Sequence, residues 1–381
     1  MPSAISKQIV SGLKVIELNR SGLKELFITA TPSRSRGSGD LRPMFEDVQR
    51  VVHEGGAMIV TMDVFGIPHA KPAGLAALRN VWSGVNWPVT WLDEGNSAGM
   101  EFVPPEAGLT GVQVHAVKGA SVERIKMNGR VVGSVFDDGF ARHCHLGDLR
   151  PQNGSASPER QARETFELME AALRSAGMEL SNVARTWFYL DKILSWYGAF
   201  NHVRDGFFSE RKMFDGLVPA STGIGGANAA GTVVIADAYA VQPHANSVKI
   251  MAVSSPLQCP ALQYGSSFNR AVEVEMPDYR RLFISGTASI DPSGKTAHVG
   301  DLPRQIDLTM DVVAAILASR RMNWGDVTRA VAYVKQGSQA HFFKDYCAAH
   351  GLDDMPTVTT ENDICRDELL FEIEVDACQT Q

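Results

Sequence analysis

SPERQARETFELMEAALRSAGMELSNVARTWFY, running from Ser157 to Tyr189, returns as DLPRQIDLTMDVVAAILASRRMNWGDVTRAVAY from Asp301 to Tyr333. The two stretches align without a gap, Met178 on Met322, Val183 on Val327, Arg185 on Arg329 and Tyr189 on Tyr333. Each reads as a helix followed by a strand. Ser157 and Asp301 stand as N-caps, with Pro158 and Pro303 in the first turns. Ala162, Phe166, Met169 and Leu173 form one apolar stripe at helical spacing, and Ile306, Met310, Val313 and Leu317 form its twin. The spacing predicts strands over Val183–Leu190 and Val327–Lys335. A repeat of this length means that one supersecondary unit was duplicated within the chain. Repeated units bury their faces against each other, so pockets are expected at the seams between them.

Outward from the repeat, the same order continues. In the middle copy a second helix spans Tyr197 to Phe208, Pro219 opens a Gly-rich loop, and Thr232 to Val241 closes the unit as a strand. The last copy has a strand at Leu282–Gly286, a second helix at His341–His350, an extended segment after Pro356, and a closing strand at Leu369–Ala377. A fainter copy lies ahead of both, with strands at Glu25–Thr31, Met58–Phe65 and Gly111–Val117 and helices at Met44–His53 and Leu75–Trp82. The expected organisation is therefore residues 1–118 as a divergent repeat or cap, 119–245 as a second unit, and 246–381 as a third unit carrying an acidic site. The β-α-β-α-β order gives an α+β fold with helices on one face of each sheet. In the closing strand Phe371, Ile373 and Val375 alternate with Glu372, Glu374 and Asp376. Alternate side chains point to opposite faces. The apolar set should face the helices, and the acidic set a neighbouring unit.

Bulk properties narrow the function. Hydrophobic residues make up 44% and charged residues 21% of the 381, enough to build ordinary cores. A net charge of −7 with no Lys/Arg-rich run argues against nucleic acid and leaves room for a local basic pocket. Five cysteines with no CxxC spacing fit a reducing, cytoplasmic setting. No apolar run reaches membrane-spanning length. His143 and His145 share a strand face, but no third ligand stands at a metal-site spacing, so no metal and no cofactor is expected.

Phe283-Ile284-Ser285-Gly286, Gly300-Asp301, Tyr333-Val334 and Phe371-Glu372-Ile373-Glu374 resemble the RidA/YjgF (Rid) superfamily. Within it, three stretches resemble the chorismatases, the chorismate-cleaving members. They are Pro219 to Gly225, Tyr264-Gly265 with Phe268 and Arg270, and Cys365 to Glu374. Thr287 to Ile290 and Asp301 with Gln305 extend the likeness, which spans roughly residues 140–378. The resemblance implies tandem units whose sheets form a central barrel with helices outside. The chain would then be an intrachain pseudo-trimer, a monomer or a higher oligomer of it. It also implies ligand sites between units and a small anionic metabolite as partner.

Cleaving the enolpyruvyl ether of chorismate requires a proton on the terminal methylene carbon, followed by water. The donor must be a carboxylic acid still neutral near pH 7. Burial beside a second carboxylate shifts a glutamate in that direction. Glu372 matches the superfamily's site position and is expected as general acid, with Glu374 two residues on in the same site. The alternative for both is a pair of solvated residues on an open sheet face. Ile235 stands in the middle copy where Glu372 stands in the last. Arg366, beside Cys365 at a hairpin expected before the closing strand, Arg270 and Arg204 are candidate clamps for substrate carboxylates, because the guanidinium fork suits that group. Gly223 opens a loop whose amides could form an anion nest. Tyr264 could hydrogen-bond a carboxylate, and Cys365 matches the chorismatase pattern while equally fitting a buried small hydrophobe.

The chain departs from both patterns. Rid deaminases carry an arginine two residues after the proline that opens the closing segment. Here Pro356 is followed by Thr357-Val358 and Pro219 by Ala220-Ser221. Lys335 stands where chorismatases commonly have arginine after the Tyr-Val strand end. Two further readings therefore accompany the chorismatase-like one: a Rid-type enamine or imine deaminase with another clamp, and a non-catalytic ligand-binding protein on this scaffold.

Overall fold

One series of elements runs three times along the chain in the computed structural model, which describes residues 4–32, 41–67, 71–93, 108–228 and 230–381. The first pass is β1 (Ala4–Val10), β2 (Leu13–Arg20), β3 (Leu23–Ala30), α1 (Arg42–Glu54), β4 (Met58–Gly66), α2 (Lys71–Val81), β5 (Val89–Asp93) and β6 (Leu109–Lys118). The second is β7 (Glu123–Met127), β8 (Arg130–Asp137), β9 (Ala141–Leu149), α3 (Pro158–Ser175), β10 (Val183–Leu190), α4 (Ile193–Glu210), β11 (Ala220–Gly225) and β12 (Val234–Pro243). The third is β13 (Lys249–Val253), β14 (Ala271–Glu275), β15 (Tyr279–Ala288), α5 (Leu302–Ser319), β16 (Val327–Val334), α6 (His341–Ala349), β17 (Thr357–Glu361) and β18 (Phe371–Thr380). The sheet orders are β1-β2-β3-β6-β4-β5, β7-β8-β9-β12-β10-β11 and β13-β14-β15-β18-β16-β17. In each sheet the pair at the second end, β4/β5, β10/β11 or β16/β17, is parallel and the other pairs are antiparallel.

The caps follow the sequence. Ser157 accepts from the Arg160 N–H and Asp301 from the Arg304 N–H, fixing the starts of α3 and α5. A buried glutamine recurs at one position of both helices. Gln161 donates to the carbonyls of Gly154 and Ala156 and accepts from the Val233 N–H. Gln305 donates to His298 and Glu368 and accepts from the Leu370 N–H. Each glutamine ties its helix to the segment leading into the closing strand.

Two layers of packing result. Outside, each sheet buries one face under its own helices; Phe371, Ile373, Val375 and Ala377 of β18 join α5 residues such as Ile306, Met310 and Leu317. Inside, the other faces of the three sheets meet. Leu18, Tyr239 and Phe283, one from each unit, share a cluster, as do Phe65, Tyr189 and Tyr333. The seams run in a cycle: β5 beside β9, β11 beside β15, and β17 beside β6. The sheets surround this interior as three separate six-stranded sheets, linked at their seams by isolated bridges and single backbone hydrogen bonds and not by a continuous ladder that would close one barrel. No helix among the described residues is long and apolar enough to cross a membrane.

Three local expectations need correction. Each unit opens with an antiparallel hairpin that the helix-then-strand repeat does not reveal. β1 is mostly exposed and lacks an inward apolar face to betray it. Asn128-Gly129, the turn between β7 and β8, was the readable signal, since both residues take positive φ there (51° and 75°). Second, the Gly-rich stretch after Pro219 is not wholly loop. Ala220–Gly225 is β11, and its glycines allow close packing; a Cβ on Gly225 would run into Asp363 of the third unit. Third, Arg366 does not sit in a hairpin, because β17 and β18 are separated in the sheet by β16.

Candidate active site

β18 lies between β15 and β16, with Glu372 opposite Ala288 on one side and Tyr333 on the other. Its side chain leaves the sheet on the inner face, toward the seam where β11 of the second unit meets β15. Backbone and side chains stitch that seam. The Ser221 N–H donates to Ser285 Oγ (2.9 Å), the Gly286 N–H to Thr222 Oγ1 (3.0 Å) and the Asn269 N–H to the Pro219 carbonyl (3.0 Å). A Cβ on Gly286 would overlap the Glu372 carboxyl, so the glycine leaves that group its place.

A cavity of about 250 Å³ opens at this seam. Tyr197, Asn201 and Arg204 of α4 and Ser221 and Gly223 of β11 line it from the second unit. Gly265, Ser266, Phe268, Arg270, Gly286, Ala288, Ile290, Cys365, Arg366, Leu369 and Glu372 line it from the third. Of the residues singled out from the sequence, Glu372, Arg204, Arg270, Arg366, Cys365 and Gly223 thus share one cavity. The Tyr264 backbone ends a short 3-10 turn ahead of Gly265, and its side chain lies outside the described residues.

Glu372 is 5% exposed and makes no hydrogen bond or ion pair with any described residue. Burial, then the neighbouring Glu374, push its carboxyl up to about 8, against the pull of Arg185 and Arg270. Arg204 is 1% exposed; it donates from Nη2 to Asn201 (2.9 Å), while its buried Nε lacks a hydrogen-bond partner. Arg270 donates from Nε to the Cys259 carbonyl (3.1 Å), and Arg366 from Nη1 to the Gly294 carbonyl (2.9 Å). Burial, then Glu372, push the Cys365 thiol up to about 12, so it stays a neutral wall of the site and not a thiolate.

Glu374 stands apart from the cavity. Its Oε1 accepts from Arg329 (2.7 Å) and Trp187 (3.0 Å), and its Oε2 from Arg185 (3.0 Å). Burial opposes its ionisation, but Arg329 and Arg185 outweigh that and hold it below the usual carboxylate range. With both oxygens occupied, it is a fixed internal charge and not a group presented to a ligand. His143 and His145 lie deeper inside, His143 bonded through Nδ1 to the Tyr239 hydroxyl (2.7 Å) and with Nε2 3.0 Å from Asp138 Oδ2. Among the described residues no group of three or more His, Cys, Asp or Glu could hold a metal ion.

Sequence reading missed Tyr197, Asn201, Ser221 and Ser266, polar residues that gain meaning only across the seam. It also missed a long connection. β1–β2 and β7–β8 turn through two residues each, Ser11-Gly12 and Asn128-Gly129, whereas β13–β14 is joined by residues 254–270. That insert carries Ser266, Phe268 and Arg270 into the cavity wall. Gln258 fastens it to the Ala288 and Ile290 carbonyls (2.9 and 3.0 Å), and Ser267 bonds Asp205 of α4.

A chorismatase solved at 1.08 Å matches 93% of this chain and 98% of its own, with a TM-score of 0.62 at 19% identity. The chain has the chorismatase fold. Its sequence is also related: it is 28% identical to a chorismatase of Streptomyces hygroscopicus over 224 residues. That match covers 53% of this chain and 62% of the Streptomyces chorismatase, less than two thirds of the relative's length. No family model matches the chain. Smaller solved proteins align with a third of it, among them TdcF of E. coli (TM-score 0.27, 16% identity, 34% of this chain and 98% of that one). Within the chorismatase fold, the strand register equates Glu372, opposite Tyr333, with Ile235, opposite Tyr189, and Gly111, opposite Phe65. The acid thus stands at one of three pseudo-equivalent positions.

Proposed function

We propose that this chain is a chorismatase-like hydrolase that cleaves the enolpyruvyl ether of chorismate or of a related small carboxylate. The observation that carries the reading is Glu372 itself, a buried carboxyl with no hydrogen-bond or ion-pair partner among the described residues, pushed up to about 8, facing a cavity bordered by Arg204, Arg270 and Arg366. At neutral pH such a group keeps its proton and has somewhere to deliver it. The arginines supply the positive field that a dicarboxylate needs once it leaves water.

In this reading Glu372 protonates the methylene carbon of the enol ether, leaving an oxocarbenium-like centre at the ether carbon. Water adds there, and its proton returns to the Glu372 carboxylate. The hemiketal then loses the ring alcohol and becomes pyruvate. One water is consumed and the acid is regenerated. The related chorismatase sequence, the shared fold and the six residues converging on one cavity support this assignment over deamination. The carboxylate-binding arginine of the Rid deaminases is missing after both Pro219 and Pro356.

The test is direct. Purified protein mixed with chorismate should release pyruvate, followed by a coupled lactate dehydrogenase assay. Glu372→Gln should lower the rate by about 10²–10⁴-fold, the usual worth of a positioned acid, while far-ultraviolet circular dichroism stays unchanged. No pyruvate at high protein concentration, or full activity in Glu372→Gln, would sink the proposal. Ammonia release from 2-aminoacrylate without pyruvate release from chorismate would favour the deaminase instead.

A further inference from the structure

We propose that Glu374 is a positioning residue for this site: side chains from two units fix its buried charge beside Glu372, so that the second carboxyl keeps its proton. The inference rests on the reading of Glu372 as the acid and adds the fixed charge that, after burial, holds its proton.

The two glutamates are alternate residues of β18, on one face, about 7 Å apart along the strand. Their surroundings differ completely. Glu374 is 0% exposed and accepts three charge-assisted or indole hydrogen bonds, from Arg329, Trp187 and Arg185. Both guanidinium groups lie over the Trp187 ring, at 4.6 and 5.4 Å from its centroid, so the donors are themselves held in place. Arg185 also donates to Thr222 Oγ1 (2.6 Å), the same oxygen that receives the Gly286 N–H beside Glu372. Arg329 reaches across to Asp63 of the first unit (3.4 Å), so all three units touch this clamp. Glu372 has none of these donors.

Two like charges this close in a water-poor seam compete, and the carboxyl with the donors ionises first. The other groups facing Glu372 do not supply the repulsion. Arg185 and Arg270 favour its ionised form. Cys365 and Tyr333 are neutral, since burial raises both well above their usual ranges. Arg204 and Arg366 act on Cys365 with positive charge. Among the described residues Glu374 is therefore the fixed negative charge set against the acid. The positions equivalent to Glu374 are Gln113, opposite Asp63, and Asp237, opposite Trp187. Asp237 is bonded to Thr90 Oγ1 (2.7 Å) and the Asp148 N–H (2.9 Å), and among the described residues no arginine pairs with it. Among the described residues the charged clamp stands only at the seam that holds the acid.

The test needs no substrate. Infrared titration of the intact protein follows the protonated-carboxyl band that Glu372→Gln removes. In the wild type that band should vanish with a midpoint near pH 8; in Glu374→Gln the midpoint should fall by at least ~1 unit, a tenfold loss of proton affinity. In Glu374→Asp, which keeps the charge, it should stay close to the wild-type value. The basic limb of the pyruvate-release profile should move by the same amount as the band. An unchanged midpoint in Glu374→Gln overturns the proposal. Should that variant not fold, the wild type answers alone: the pair must titrate in two well-separated steps, and two midpoints near an ordinary glutamate overturn it. A shifted band without pyruvate release would overturn the reaction and keep the pairing; pyruvate release without the shift would do the reverse.

Discussion

A single carboxyl, Glu372, sets a stability cost as well as a reactivity. Its folded-state value of about 8 lies above the ordinary 4.5. Between those values the folded protein binds a proton that the unfolded chain has lost, so stability falls as pH rises through that window and levels off above it. Glu372→Gln removes the titration. Expected outcome: at pH 5 wild type and variant melt together, while at pH 8.5 the variant is more stable by on the order of 2–4 kcal/mol, read by urea unfolding at both pH values. Equal stabilities at pH 8.5 would mean the carboxyl ionises without strain in its pocket. At the same scale, Arg204 offers a buried fork with an unsatisfied Nε to the cavity. Arg204→Met should raise the KM for a dicarboxylate about 10- to 100-fold with little change in kcat, the worth of one or two charge-assisted hydrogen bonds. Part of this was legible in the sequence: the β18 alternation puts Glu372 on the inner face, the resembling stretches contain Arg270 and Arg366, and Arg204 was a candidate for the chemistry of its guanidinium fork alone. Glu374 was read as part of the ligand site, because nothing in the chain's order says that Arg185, 189 residues away, arrives to occupy it.

Helix α5 and its counterpart α3 show how one element can serve structure in one copy and the site in the next. Gln161 and Gln305 each make three hydrogen bonds from the same repeat position, two of them to equivalent backbone groups. Yet Gln305 holds Glu368 and Leu370, on the segment that carries Cys365, Arg366 and Glu372. Gln161 holds only the approach to β12. Replacing either by leucine should cost about 1–3 kcal/mol of stability, since buried backbone groups lose their partners. Only Gln305→Leu should also cut pyruvate release, by tenfold or more, at a temperature where both variants are folded. Equal activities would show that the segment is held by other means. The helices and closing strands were readable because a 3.6-residue stripe and a two-residue alternation leave marks in the sequence itself. The opening hairpins and the 254–270 insert left weaker ones: β1 is an exposed edge, and a long loop's contacts with β15 and α4 are decided by what it meets.

Across the whole molecule, three sheets enclose an interior that no single unit completes. A cavity of about 70 Å³ remains there, lined from all three units by groups such as Gln113, Tyr239 and Arg281. The candidate site is likewise split, with Arg204 and Gly223 on one unit and Glu372 on the next. Residues 244–247, exposed between β12 and β13, give a place to cut without touching a seam. Two chains divided there and coexpressed should associate and release pyruvate, whereas either half alone should not. Activity in the isolated C-terminal half would refute a shared site. We also propose that the closed cycle of seams lets one chain stand as a pseudo-trimer, so that light scattering finds the mass of one chain, 41.4 kDa, or a whole multiple of it. By itself the sequence determined the repeat, the α+β unit, the inward face of β18 and the glutamates on it, because periodicity and caps are local properties. Only the tertiary structure decided that three sheets stay separate around one interior, that Arg185 and Arg329 claim Glu374, and that Glu372 faces a cavity with no partner among the described residues. Those depend on which side chains from distant segments meet in a space too dry to leave a charge unpaired.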